Sequence, residues 1–167
     1  MAAGNTYTPI ATYTTGSGET SYTFTSVPTT YTDLILISNF AFTANNLDFR
    51  IQVGNGSIDT GTNYSFTFLN GTGSVASSTR ASSTTYIAGY QPIGGGTGRQ
   101  ISISHFNNYS NTTTYKTVLL RNNDPALELN TGVALWRSTS AINYIKVAPT
   151  GTFATGSTFT LYGILAA

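Results

Sequence analysis

Apolar and polar side chains take turns along much of this chain, and that period of two constrains its fold more than any other feature. Successive side chains of a strand point to opposite faces, whereas a helix repeats every 3.6 residues. In Ser21–Thr25, Tyr22 and Phe24 point one way and the hydroxyl residues the other. In Leu47–Val53, Leu47, Phe49, Ile51 and Val53 share a face opposite Asp48, Arg50 and Gln52. Ile101 and Ile103 alternate with Gln100, Ser102 and Ser104 in the run Arg99–His105. Ile142, Tyr144 and Lys146 alternate with Asn143, Ile145 and Val147. Gly16-Ser17-Gly18, Asn55-Gly56, Asn70-Gly71, Gly94-Gly95-Gly96 and Gly151 separate such runs with residues that tolerate positive φ.

The pattern predicts strands over 9–15, 20–26, 32–41, 47–54, 63–69, 84–90, 99–107, 112–121, 131–138, 141–148 and 157–164. A chain of 167 residues makes about one domain. Ten or eleven short strands exceed an immunoglobulin-type domain and suit a jelly roll with extra hairpins. The expected fold is therefore all-β, a single-domain, jelly-roll-like antiparallel sandwich. It is expected to span 10–167, behind a polar N-terminal arm over 1–9. Asp124-Pro125-Ala126-Leu127-Glu128 is the one helix candidate, a single turn with Asp124 as cap. The Ser/Thr-rich stretch 72–85 reads as a long surface loop or as part of an edge strand.

Composition narrows the chemistry. Charged residues make up 8% of the chain and the net charge is +1, so no basic footprint points to nucleic acid or an anionic membrane. There is no cysteine, hence no disulfide and no thiolate chemistry. No Lys/Arg-flanked apolar segment opens the chain, so no signal peptide is expected. His105 is the lone imidazole, and its sequence neighbours Asn107, Asn108 and Ser110 do not make a catalytic triad. Glu19, Asp33, Asp48, Asp59, Asp124 and Glu128 would serve a glycosidase only if two of them converged. The loop Gly54–Asn63 offers one carboxylate, too few for a calcium site, and reads as an Asx-turn hairpin. Gly94–Gly98 lacks the Lys-Ser/Thr of a phosphate loop and reads as a hairpin tip. No enzyme activity, cofactor or metal is expected.

What remains is surface. Leu34-Ile35-Leu36-Ile37 and Val118-Leu119-Leu120 are apolar on both faces, so a loop or another subunit must cover the second one. Leu135 and Trp136 point to opposite faces of one strand. The candidate interface residues are Trp136 and Arg137, types enriched in hot spots, with Ile35, Ile37 and Leu119.

Several segments resemble small virion proteins of tailed bacteriophages, cyanophages and related aquatic phages above all. These are Tyr7-Thr8-Pro9-Ile10-Ala11-Thr12, the run from Tyr22 to Leu34, Thr60–Ser65, Gly132–Ile142, and Phe153-Ala154-Thr155-Gly156-Ser157-Thr158-Phe159-Thr160-Leu161-Tyr162-Gly163-Ile164. The resemblance implies a jelly-roll-like homotrimer mounted on a virion, with no catalytic motif to carry over. It leads to the expectation of a capsid decoration, or cement, protein that binds itself and the major capsid protein or other virion proteins at the capsid surface. The alternative is a receptor-binding or adaptor module of a head or tail fibre that recognises a host glycan.

Overall fold

The computed structural model describes residues 6–90 and 98–165, and side chains except those of 89 and 90. Among the described residues, twelve strands form two antiparallel sheets. They are β1 (Tyr7–Thr14), β2 (Tyr22–Phe24), β3 (Asp33–Phe40), β4 (Phe49–Gly54), β5 (Tyr64–Gly71), β6 (Ala76–Thr84), β7 (Ile87–Tyr90), β8 (Gln100–Asn107), β9 (Lys116–Asp124), β10 (Glu128–Trp136), β11 (Tyr144–Pro149) and β12 (Thr158–Ile164). One sheet has the order β1-β12-β3-β8-β9-β10-β5-β6, the other β2-β11-β4-β7.

That order is a jelly roll with an extension. The quartets β1-β12-β3-β8 and β2-β11-β4-β7 are the two four-stranded sheets of an eight-stranded double Greek key. The remaining strands form two inserted hairpins, β5–β6 and β9–β10, and both add to the β8 side of one sheet. One layer is thereby widened to eight strands while the other keeps four.

The core lies between the sheets. Phe40, Phe42, Phe49, Phe153 and Phe159 form an aromatic cluster, with Phe40 stacked on Phe49 at a centroid separation of 4.5 Å. Leu34, Leu36, Ile51, Val53, Ile145, Val147 and Leu161 complete it from both inner faces. Aromatic and branched side chains fill such a layer well because each buries a large apolar area. Tyr64 is fully buried, and its hydroxyl ties β5 to β4 by donating to Val53 O, 2.9 Å, or Asp59 O, 2.8 Å, and accepting from Val53 N at 3.2 Å. Burial pushes its phenol well above the usual tyrosine range, with the Asp59 charge adding to it and the backbone donor at Val53 opposing. Lys116 is also interior. Its ammonium donates to Thr114 O at 2.7 Å and Thr139 O at 3.1 Å, and desolvation lowers its pKa.

Four expectations need correcting. Twelve strands replace ten or eleven, because the Ser/Thr-rich stretch holds β6, a nine-residue strand exposed along nearly its whole length. An edge strand needs only backbone pairing with one neighbour, so it shows no apolar alternation. Residues 124–128 do not form a helical turn inside a loop; they make the tight β9–β10 connection, with Asp124 capping it through Ala126 N at 3.0 Å and Leu127 N donating to Asp124 O. The first strand starts at Tyr7, paired with Ile164, so three residues of the expected arm belong to the sheet, and residues 1–5 lie outside the described ones. Trp136 is 3% exposed and its indole is spent inside the chain, so it is no surface anchor. Of the expected hairpin tip 94–98, residues 94–97 lie outside the described residues.

Candidate interaction surface

Register fixes which residues share the outer face of the large sheet. One row across it runs Tyr162, Ile35, His105, Leu119, Val133, Thr67, Arg80. The next row runs Thr160, Ile37, Ile103, Arg121, Thr131, Leu69, Ser78. Ile101 and Leu129 flank Asn123 in a third row, and Leu135 lies beyond Val133. Leu69, Ile101, Leu119, Leu129 and Val133 are exposed by 62%, 38%, 48%, 61% and 43%. Directly opposed side chains stand about 5 Å apart, and diagonal ones remain within reach of long side chains. The aliphatics therefore form one patch over β8, β9, β10 and β5.

The inner face of β8, β9 and β10 is polar toward the end that holds the β9–β10 turn, while Phe106, Val118, Leu120, Ala134 and Trp136 keep the rest of it apolar. Gln100, Ser102, Ser104, Asn122, Asp124, Glu128 and Asn130 are all buried. Ser102 Oγ donates to Asn122 Oδ1 at 2.6 Å, Asn122 Nδ2 to Asn130 Oδ1 at 2.8 Å, and Asn130 Nδ2 to Glu128 Oε1 at 3.2 Å. Gln100 Nε2 lies 3.4 Å from Asp124 Oδ2. At this end of the sandwich the usual polarity is inverted, with amides and acids inside and aliphatics outside.

Asp124 and Glu128 sit directly opposite each other in the β9–β10 register, the meeting of two acids that a glycosidase would need. A hollow beside the turn touches both, yet they are 3% and 5% exposed and occupied as acceptors. The other four carboxylates are tied down as well. Glu19 accepts from Tyr13 at 2.5 Å and Gly16 N at 3.1 Å; Asp48 pairs with Arg50 at 3.1 Å. Asp33 accepts from Asn108 N at 2.6 Å and lies 3.0 Å from His105 Nε2, which makes the imidazole part of a structural pair on the outer face. Asp59 accepts from Gly61 N, Asn63 Nδ2 and Trp136 Nε1 at 2.8, 2.8 and 2.7 Å. Burial pushes its carboxyl up, but these donors together outweigh that and hold it below the ordinary carboxylate range. The Gly54–Asn63 loop thus holds an Asx turn whose carboxylate serves the fold, but it carries the chain from β4 in one sheet to β5 in the other instead of closing the expected hairpin between them. Among the described residues, no three His, Asp or Glu side chains gather in a metal-ligating cluster.

The expected interface residues divide into two groups. Leu119 is exposed at the centre of the patch, Ile37 is half-buried, and Ile35 is 6% exposed between its cross-strand partners Tyr162 and His105. Trp136 faces inward, and Arg137 donates from Nη1 to Tyr64 O at 3.2 Å. Leu69, Ile101, Ile103, Leu129, Val133 and Leu135 went unrecognised as surface residues. Their alternation was visible in the sequence; which side of each strand turns outward was not.

No family model matches the chain, and no curated protein matches it. Among solved structures it is similar to CG-16, a homodimeric agglutinin from chicken liver, at 12% identity and a TM-score of 0.37, over 83% of this chain and 98% of that one.

Proposed function

We propose that this chain is a structural protein of a phage virion, a decoration protein that attaches across capsid subunits and stabilises the shell. The observation that carries the reading is the aliphatic outer face of the widened sheet, in a chain whose six carboxylates all serve as internal acceptors. The resemblance of its strand and turn segments to phage virion proteins supports the same reading. The work of such a protein is mechanical. Apolar sheet surface holds copies together, and the assembly spans neighbouring capsid subunits. Several weak contacts made at once give firm attachment without any covalent step.

Cryo-EM of the purified virion tests this, together with a copy-number count by mass spectrometry. Density over the capsid surface and hundreds of copies are expected. Density confined to the tail, with a handful of copies, would replace this reading with that of a fibre module; a glycan array would then be the next measurement.

A further inference from the structure

We infer that the outer face of the eight-stranded sheet is covered by the same face of a second copy of this chain, packed face to face about a two-fold axis. The inference deepens the reading above and rests on its treating this face as a protein-contact surface. Four observations carry it.

The first is where apolar surface remains. Nine large hydrophobic side chains are exposed among the described residues, and five of them belong to this patch. The other four form no second patch: Tyr7 and Leu165 lie together at the β1–β12 edge, where Tyr7 pairs with Ile164 and its ring meets Tyr162, Val75 sits at the β5–β6 tip, and Tyr115 precedes β9. A head-to-tail contact needs a second, different apolar patch on the same molecule, and these four do not make one. A contact in which one patch meets its own copy needs only itself.

Extent is the second. The five exposed aliphatics present an apolar area on the order of 450 Å² per copy, the size of the largest patch on a typical monomer, which is often functional. With half-buried Ile37, Ile103, Leu135 and the hydroxyl rim, the face approaches the ~800 Å² per partner of a standard interface.

Third comes shape. Leu119 and Val133 oppose each other across β9 and β10 and form a ridge. A hollow of about 190 Å³ beside Ile103, His105 and Thr131 borders one side, and one of about 200 Å³ beside Thr67, Thr117 and Leu135 borders the other. A ridge between two hollows can mesh with its own copy.

The fourth is charge. Arg121 is the one charged side chain inside the patch; Arg80 and the Asp33–His105 pair stand at its borders. A long arginine stem lies along apolar surface while its head reaches the rim, so no block of like charge opposes the pairing.

The inference calls for an even number of copies, where the family resemblance implies three. Sedimentation equilibrium of the full chain at about 1–100 μM decides between them. The wild-type protein is expected as a dimer or an even multiple. Leu119→Arg and, independently, Leu129→Lys are expected to weaken association at least ~100-fold, with the β-sheet circular dichroism unchanged. Thr23→Arg, on the opposite sheet, should leave the mass as it is. A wild-type monomer across that range, a three-copy assembly, or a dimer indifferent to both patch substitutions would overturn the inference. A dimer missing from virions would instead remove the capsid reading and leave the pairing intact.

Discussion

Asp59 shows how thoroughly single residues are committed to the fold. Its carboxylate closes an Asx turn through Gly61 N, holds Asn63, and accepts a hydrogen bond from the indole N–H of Trp136, 77 residues away. Replacing Trp136 by Phe keeps the ring in the core but leaves that oxygen short of a donor. A loss of ~1–3 kcal/mol is expected, or a fall of ~2–4 °C in Tm per kcal/mol for a chain of this size, measured by urea and thermal unfolding. The sign with pH follows from the lowered carboxyl pKa. The stabilisation is complete above the unfolded value of ~3.9 and disappears as pH falls through the lower folded value. Asp59→Asn should therefore flatten part of the acid limb of the stability curve. The local turn was legible in the sequence, because Asp and Gly at that spacing favour it. Trp136 was not: an indole beside an arginine looks the same in sequence whether it anchors a partner or donates to a distant loop.

Elements here are shaped by close neighbours as much as by their own alternation. β10 pairs with β9 on one side and β5 on the other, and Gly132 sits where Phe68 crosses it. A Cβ at 132 would stand 2.4 Å from Phe68 Cδ1 and 2.4 Å from the Thr67 carbonyl oxygen. The ring could turn, but the carbonyl belongs to the neighbouring backbone. Gly132→Ala is expected to cost ~1–3 kcal/mol by forcing the β5–β10 pair apart, read as a lower urea midpoint with an unchanged m-value. Strand existence was legible for every element but β6, from a period of two or, in β3 and β9, from a short apolar run, with turn residues between. β6 was missed as a certain strand because Ala76–Thr84 buries neither face, so its side chains carry no pattern. The placement of β9 and β10 slipped for a related reason. Asn122, Asp124, Glu128 and Asn130 look like loop residues, yet they are interior positions hydrogen-bonded to one another and to Gln100 and Ser102.

At the scale of the molecule, two inserted hairpins convert a balanced jelly roll into an asymmetric one with a wide, aliphatic outer face. Among the described residues Arg50 pairs with Asp48 and His105 hydrogen-bonds with Asp33, and the chain is 8% charged. Cohesion built on apolar burial is not screened by salt, whereas attraction between exposed charges fades beyond a Debye length of ~10 Å at 0.1 M. Raising NaCl from about 0.05 to 0.5 M should thus leave both the unfolding temperature and the association equilibrium nearly unchanged. A steep loss of association over that range, measured by light scattering, would move the contact from the aliphatic patch to the few charged groups.

The sequence by itself determined that this chain is a sandwich of short antiparallel strands with little ionic chemistry to offer, because alternation, turn residues and composition are local properties. Only the tertiary structure decided which face of each strand turns inward. In β8, Ile101 and Ile103 point to solvent while Gln100, Ser102 and Ser104 are buried. A strand's two faces are equivalent until a second layer packs on one of them. That choice depends on cross-strand partners scores of residues away, which alternation along a single strand does not encode.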